Sequence, residues 1–348
     1  MTRAGGKELR IPLRHLELAA KAWGDPADPP MLAVHGWLDN AGSFDHLAPL
    51  LKGHYVVAID LGGHGRSAHR PPGTWYPYAD FLDEIGEAMD QLGWQEADLL
   101  GHSLGATLVS VFAAICPQRV RRLLLIEGLG PLASAADQSL HNLRRSHLAR
   151  MAFKPDKLRV FNGLDEAIEA RRKVSELSPE AARCIVSRGV REVSAGVVID
   201  GAEKGGALDS SKSADRSPGA EWRRPSAVEE SSDTDSRLEE AQAFQLLSWS
   251  SDPALTLPSP TRLTEEQLAS ILPAISAPTL LLLAEPAAPY LKREVMEARI
   301  ALLADIEVLR LAGSHHLHLE TPEMVAAPIR EFLKAHPVDP ARDTKAVS

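Results

Sequence analysis

Short apolar runs alternate with longer stretches of helical periodicity along most of the chain. MLAVHG (31–36), YVVAID (55–60), ADLLGHS (97–103), RRLLLIEG (121–128), TLLLLAE (279–285) and IEVLRLAG (306–313) read as strands. Near-continuous apolar runs of this length suit strands buried on both faces. Between them, 43–51 reads as a helix, LGATLVSVFAAIC (104–116) as a core helix stopped by Pro117, and PEMVAAPIREFLKAH (322–336) as a closing helix. Strands alternating with helices predict an α/β domain with a mostly parallel sheet.

The rhythm breaks over 131–274. There LDEAIEARRKVSEL (164–177), SPEAARCIVSRG (178–189) and TEEQLASIL (264–272) carry helical patterns. Ser178 can cap with Pro179 at the first helical position, and Thr264 and Gln267 stand at capping-box spacing. This region reads as a helical cap inserted into a core made of 8–130 and 275–336, with 337–348 as a flexible tail. Inside the cap, 203–240 is rich in Ser, Gly, Asp and Glu and poor in large apolar groups. It is expected to be a disordered loop, because it cannot bury enough surface to offset its ordering entropy.

Composition narrows the function. The 348 residues are 44% hydrophobic and carry a net charge of −9, without a basic stripe; nucleic acid is not an expected partner. No run reaches the roughly 18 apolar residues of a membrane span, and the N-terminus lacks the apolar core of a signal peptide. A cytoplasmic protein is the expectation. The two cysteines, Cys116 and Cys184, form no disulfide framework or zinc motif.

GHSLG (101–105) fits G-x-S-x-G between an apolar strand and an apolar helix, the context of a nucleophile elbow. Ser103 is the expected nucleophile. Oxyanion donors are expected from the N–H of Leu104, the following residue, and of Trp37 in the loop after the early strand, HGW (35–37). A base belongs in a loop at the C-terminal edge of the sheet, where GSHHLHLETP (313–322) supplies His315, His316 and His318. Their spacing matches no hydrolytic metal motif, so neither metal nor cofactor is expected. LGGHGRS (61–67) lacks the G-K-[ST] of a phosphate loop and reads as a tight turn. Glu127, at the end of LLLIEGLGP, is either the first solvated residue of a loop or a catalytic acid.

Taken in order, HGW, DLGGHGRS, GHSLG and GSHHLHLETP resemble the α/β-hydrolase fold. HGWLDNAGSFDHLAPLL (35–51), SRGVREVSAGVVID (187–200) and SDPALTLPSPTRLTEEQL (251–268) are similar to the serine hydrolase-like proteins of that superfamily. The resemblance implies His315 as base, with His316 as runner-up. The family's usual acid, in Gly-Glu-x-Asp after the strand TLLLLAE, is missing: Ala287 stands where the Asp would be. A second acid position of the fold, at the end of the strand after the nucleophile helix, is occupied by Glu127. The resemblance therefore implies a Ser103–His315–Glu127 triad, with Glu285 as the alternative acid. A serine nucleophile argues against dehalogenase and epoxide hydrolase chemistry, which runs through an aspartyl ester. The expected activity is hydrolysis of a carboxylic ester or similar small acyl substrate. The rivals are C–C bond hydrolysis by the same triad, and a non-catalytic ligand-binding or signalling protein.

Overall fold

The computed structural model describes residues 5–154, 159–193, 246–288 and 292–338. The strands are β1 (Lys7–Pro12), β2 (Glu17–Trp23), β3 (Pro30–Val34), β4 (Tyr55–Ile59), β5 (Ala97–His102), β6 (Val120–Ile126), β7 (Val160–Asn162), β8 (Val190–Glu192), β9 (Leu246–Trp249), β10 (Thr279–Glu285) and β11 (Ile306–Ala312). The helices are α1 (Tyr78–Gln91), α2 (Leu104–Ile115), α3 (Ser139–Ala152), α4 (Leu164–Arg172), α5 (Pro179–Gly189), α6 (Glu265–Ile271), α7 (Arg293–Ile300), α8 (Leu317–Glu320) and α9 (Pro322–Ala335).

Eight strands form one sheet in the order β1-β2-β4-β3-β5-β6-β10-β11. The β1–β2 and β2–β4 pairs are antiparallel, and every pair from β4 through β11 is parallel. Successive side chains of a strand point to opposite faces, and the central strands are apolar at both parities. Leu32, Val34, Leu99, Leu123, Leu125, Leu281 and Leu283 pack with α1 and α2 on one face. Met31, Ala33, Leu100, Leu124, Ile126, Leu280 and Leu282 pack with α9 on the other. This is the α/β architecture the strand pattern predicts.

Three details depart from the sequence reading. The helix expected over 43–51 is two separate 3₁₀ turns, Ala41–Phe44 and Ala48–Leu50. Pro49 lacks the N–H that a continuing helix needs. The α4 helix ends at Arg172 rather than running to 177. Between β6 and β10 the helices share the region with a small antiparallel sheet, β7-β9-β8, so it is not purely helical. The caps of α5 and α6 form as expected: Ser178 accepts from Ala181 N–H, and Thr264 and Gln267 bond reciprocally. The loop expected over 203–240 and nearly all of the tail lie outside the described residues.

Candidate active site

The parallel strands deliver their C-terminal loops to one edge of the sheet, the edge where open α/β sheets bind ligands. At the end of β5, Ser103 takes φ 50°, ψ −114° and hands the chain to α2. Its N–H donates to Ile126 O (2.9 Å), and its carbonyl accepts the N–H of Thr107 (3.0 Å). The turn closes because its flanks are glycines. A β-carbon on Gly105 would lie 1.9 Å from Val34 O, and one on Gly101 would lie 2.5 Å from the backbone of Ala106. Leu104 is the first residue of α2, and the first N–H groups of a helix have no partner within it. A serine at this terminus sits where the helix dipole favours negative charge.

The loop after β6 passes directly beside the elbow: a β-carbon on Gly128 would lie 2.9 Å from Ser103 O. Glu127 precedes that glycine. It is buried, with φ 59°. Its N–H donates to Leu282 O (2.9 Å), and its Oε1 accepts the N–H of Ala284 (2.5 Å). Its Oε2 lies 3.0 Å from His315 Nδ1. The solvated-loop reading of Glu127 is therefore excluded; the carboxylate is inside and set against an imidazole. Glu285 is exposed at the end of β10, where its carbonyl accepts from Gly313 N–H (3.2 Å). Glu127, Glu285, Ala287, Arg293 and Arg310 line one small crevice.

The adjacent histidines diverge. His315 turns to Glu127, whereas His316 Nε2 lies 3.3 Å from Asp39 Oδ2. Asp39 Oδ1 accepts from Arg171 of α4 at 2.5 Å. Burial by itself would raise the Asp39 pKa, but Arg171 and the neighbouring imidazoles hold it well below the usual carboxylate range. His102, the residue before the nucleophile, packs its ring 4.0 Å from that of His318 and 4.8 Å from that of His315. Burial, and then the surrounding imidazoles, push its pKa well down, so the ring is neutral at physiological pH. His318 completes the cluster, with Nε2 2.7 Å from Ser43 Oγ. Asp39, His102 and His316 hold potential metal-ligand atoms within 4.8 Å of one another. Sequence spacing missed this set because the fold assembles it from three distant segments.

His35 at the end of β3 links two loops. Its Nδ1 donates to Gly36 O (2.7 Å), and its Nε2 accepts the N–H of Leu61 (3.1 Å). Trp37 is half exposed, and its indole N–H donates to Leu255 O (3.1 Å). LGGHGRS is indeed a tight turn. Asp60, just before it, accepts from Ala41 N–H (2.7 Å) and Arg66 N–H (2.8 Å), with Gly65 at φ 53° against its carboxylate. Arg188 of α5 bonds the same carboxylate through Nε (2.9 Å) and Glu8 through Nη1 (2.7 Å).

A strained serine at a strand–helix turn and an imidazole held by a buried carboxylate can together activate an oxygen nucleophile. The chain belongs to the α/β hydrolase fold family: the family model for that fold matches residues 29–179. Relatives it matches are named serine hydrolase-like proteins. Serine hydrolase-like protein 2 of Homo sapiens is 36% identical over 200 residues, 56% of this chain and 62% of that protein, so the match spans under two thirds of the relative. A second Homo sapiens relative, Serine hydrolase-like protein, is 37% identical over 185 residues, 51% of this chain and 88% of that protein. The crystal structure of a hypothetical protein from Pseudomonas aeruginosa PAO1 superposes with a TM-score of 0.75 at 34% identity, covering 94% of this chain and 99% of that one. Among the described residues, no helix is long and apolar enough to cross a membrane.

Proposed function

We propose that this α/β hydrolase is a serine hydrolase that cleaves a carboxylic ester or similar acyl substrate through an acyl-enzyme. The observation that carries the reading is the 3.0 Å contact between His315 Nδ1 and buried Glu127, on loops that flank the strained Ser103. Glu127 accepts a hydrogen bond from Nδ1–H of His315, which sets the tautomer in which Nε2 takes the proton of Ser103 Oγ. The serine oxygen attacks the carbonyl, and the N–H groups of Leu104 and Trp37 receive the oxyanion. His315 then protonates the leaving alcohol, and water activated by the same ring releases the acid. The segment 131–274 acts as the cap that shapes the acyl pocket, and exposed Trp37 beside the elbow favours an apolar acyl group.

The test is labelling of the full chain with a fluorophosphonate probe, read by intact mass. One adduct on the wild type, absent from Ser103→Ala, is the expected result. A wild type that takes no label would overturn the reading and favour the ligand-binding alternative. Ester and diketone panels then separate acyl transfer from C–C hydrolysis.

A further inference from the structure

Next to the elbow, His102 buries a ring nitrogen, Nδ1, that has no hydrogen-bond partner. The opposite ring nitrogen, Nε2, lies 2.9 Å from His315 O. A carbonyl only accepts, so Nε2 carries the proton and Nδ1 of the neutral ring presents a bare lone pair. That nitrogen is buried with no hydrogen-bond partner, although the His102 side chain is only 1% exposed. It faces Asp39 Oδ2 across 3.8 Å. Two electron-rich atoms thus confront each other with no donor between them, an arrangement that buried polar groups normally avoid. His316 Nε2 approaches the same oxygen at 3.3 Å, and the three atoms lie within 4.8 Å of one another.

We propose that Asp39 Oδ2, His102 Nδ1 and His316 Nε2 form a binding site for one divalent transition-metal ion of the zinc, cobalt or nickel kind. Zinc bonds of about 2.0–2.1 Å in tetrahedral geometry place ligand atoms about 3.3 Å apart. The His316–Asp39 pair already stands at that spacing, the His102–Asp39 pair needs to close by about half an ångström, and the two imidazole nitrogens by up to about 1.5 Å on the same geometry. Two imidazoles and one carboxylate select borderline ions over magnesium or calcium. The outer contacts match those that orient metal ligands: His102 donates its other N–H to a backbone carbonyl, and the second oxygen of Asp39 is held by Arg171. Arg171 also competes for the carboxylate's charge, so binding is weaker than at a closed four-ligand site. The ion would tie three segments together: the loop after β3, the elbow itself and the loop after β11. Nothing in this site depends on Ser103 being a nucleophile.

Titration of the full, metal-stripped chain with Co²⁺, followed by visible absorption and by metal content after desalting, tests the proposal. The wild type and Ser103→Ala are expected to hold one ion per chain. His316→Gln and Asp39→Asn are expected to lose it, while His141→Gln, at an exposed histidine of α3, retains it. Excess Zn²⁺ should raise the Tm of the wild type, since a ligand that binds only the folded chain stabilises it. It should leave His316→Gln unmoved. If Asp39→Asn does not fold, His316→Gln carries the test alone, because its ring lies at the edge of the cluster. A wild type without one-to-one binding, or a His316→Gln chain that binds like the wild type, overturns the site.

Discussion

Leu38, Ser103 and Glu127 are the residues with a β-carbon, among those described, that take positive φ. They lie at the ends of three neighbouring strands, β3, β5 and β6, and all three border the candidate site. Such angles cost about 1–3 kcal/mol each and persist where the surroundings over-determine them. At Glu127 the surroundings are explicit, because Ala284 N–H holds Oε1 and leaves Oε2 for His315. This makes Glu127→Gln informative. The amide oxygen will stay with Ala284 N–H, so the amide NH₂ will face Nδ1 and force the proton to Nε2, the wrong tautomer for accepting from serine. Fluorophosphonate labelling should slow by about 10²–10⁴-fold, the range expected for loss of a triad acid, with Tm nearly unchanged. Equal labelling rates would remove Glu127 from the mechanism. The pentapeptide around Ser103 was readable because the elbow needs small residues on both sides. The partners of His315 and His316 were not readable from their spacing, since adjacent rings diverge and each meets a carboxylate from a remote segment.

The central strands were legible because burial on both faces leaves an uninterrupted apolar run, and TLLLLAE coincides with β10. The β1–β2 hairpin was not, because Lys7, Glu8 and Arg10 crowd an exposed edge strand and three of the seven residues of β2 are alanine. The β7-β9-β8 sheet has strands of three or four residues, too short to leave a periodic signal. Glycines at contacts between elements separate into two kinds. Gly105→Ala forces a β-carbon into the backbone of β3 and should abolish soluble expression or displace α2. Gly86→Ala, inside α1, meets only the Phe112 ring at 3.4 Å. It should stabilise by about 0.5–1 kcal/mol, because the unfolded chain loses freedom; matched denaturation midpoints will compare the two. Besides apolar packing and the Asn40 bond to Ile185 O, α5 is tied to the core by an ion pair. Arg188 is buried on Asp60, so Arg188→Met leaves an unpaired buried carboxylate and should cost about 3–5 kcal/mol. A urea midpoint equal to wild type would show that the other donors to Asp60 suffice.

Taken as a whole, the fold buries several histidines in neutral form, and this sets its response to acid. Burial lowers the pKa of His35 to about 4 and of His64 to about 3. It also drives His102 and His318 well below the usual imidazole range. In the unfolded chain each ring titrates near its ordinary value, about 6.5. Below that pH the unfolded chain binds protons that the folded chain refuses, so the stability present above pH ~6.5 is lost as pH falls toward the folded values. The slope reaches about 1.4 kcal/mol per pH unit for each histidine. Glu84 and Asp45 work in the opposite direction, because burial raises their pKa values. For His35 and His64 together the loss between pH 6.5 and 5 is about 4 kcal/mol, near the low end of the 5–15 kcal/mol that a typical domain possesses, and His102 and His318 act in the same direction. Thermal melts at pH 8, 7, 6 and 5 should show a plateau above neutrality and a steep fall in Tm below pH ~6.5. A Tm that stays level down to pH 5 would mean that these rings take up protons in the folded chain, with water or a counter-charge reaching the cluster around the elbow.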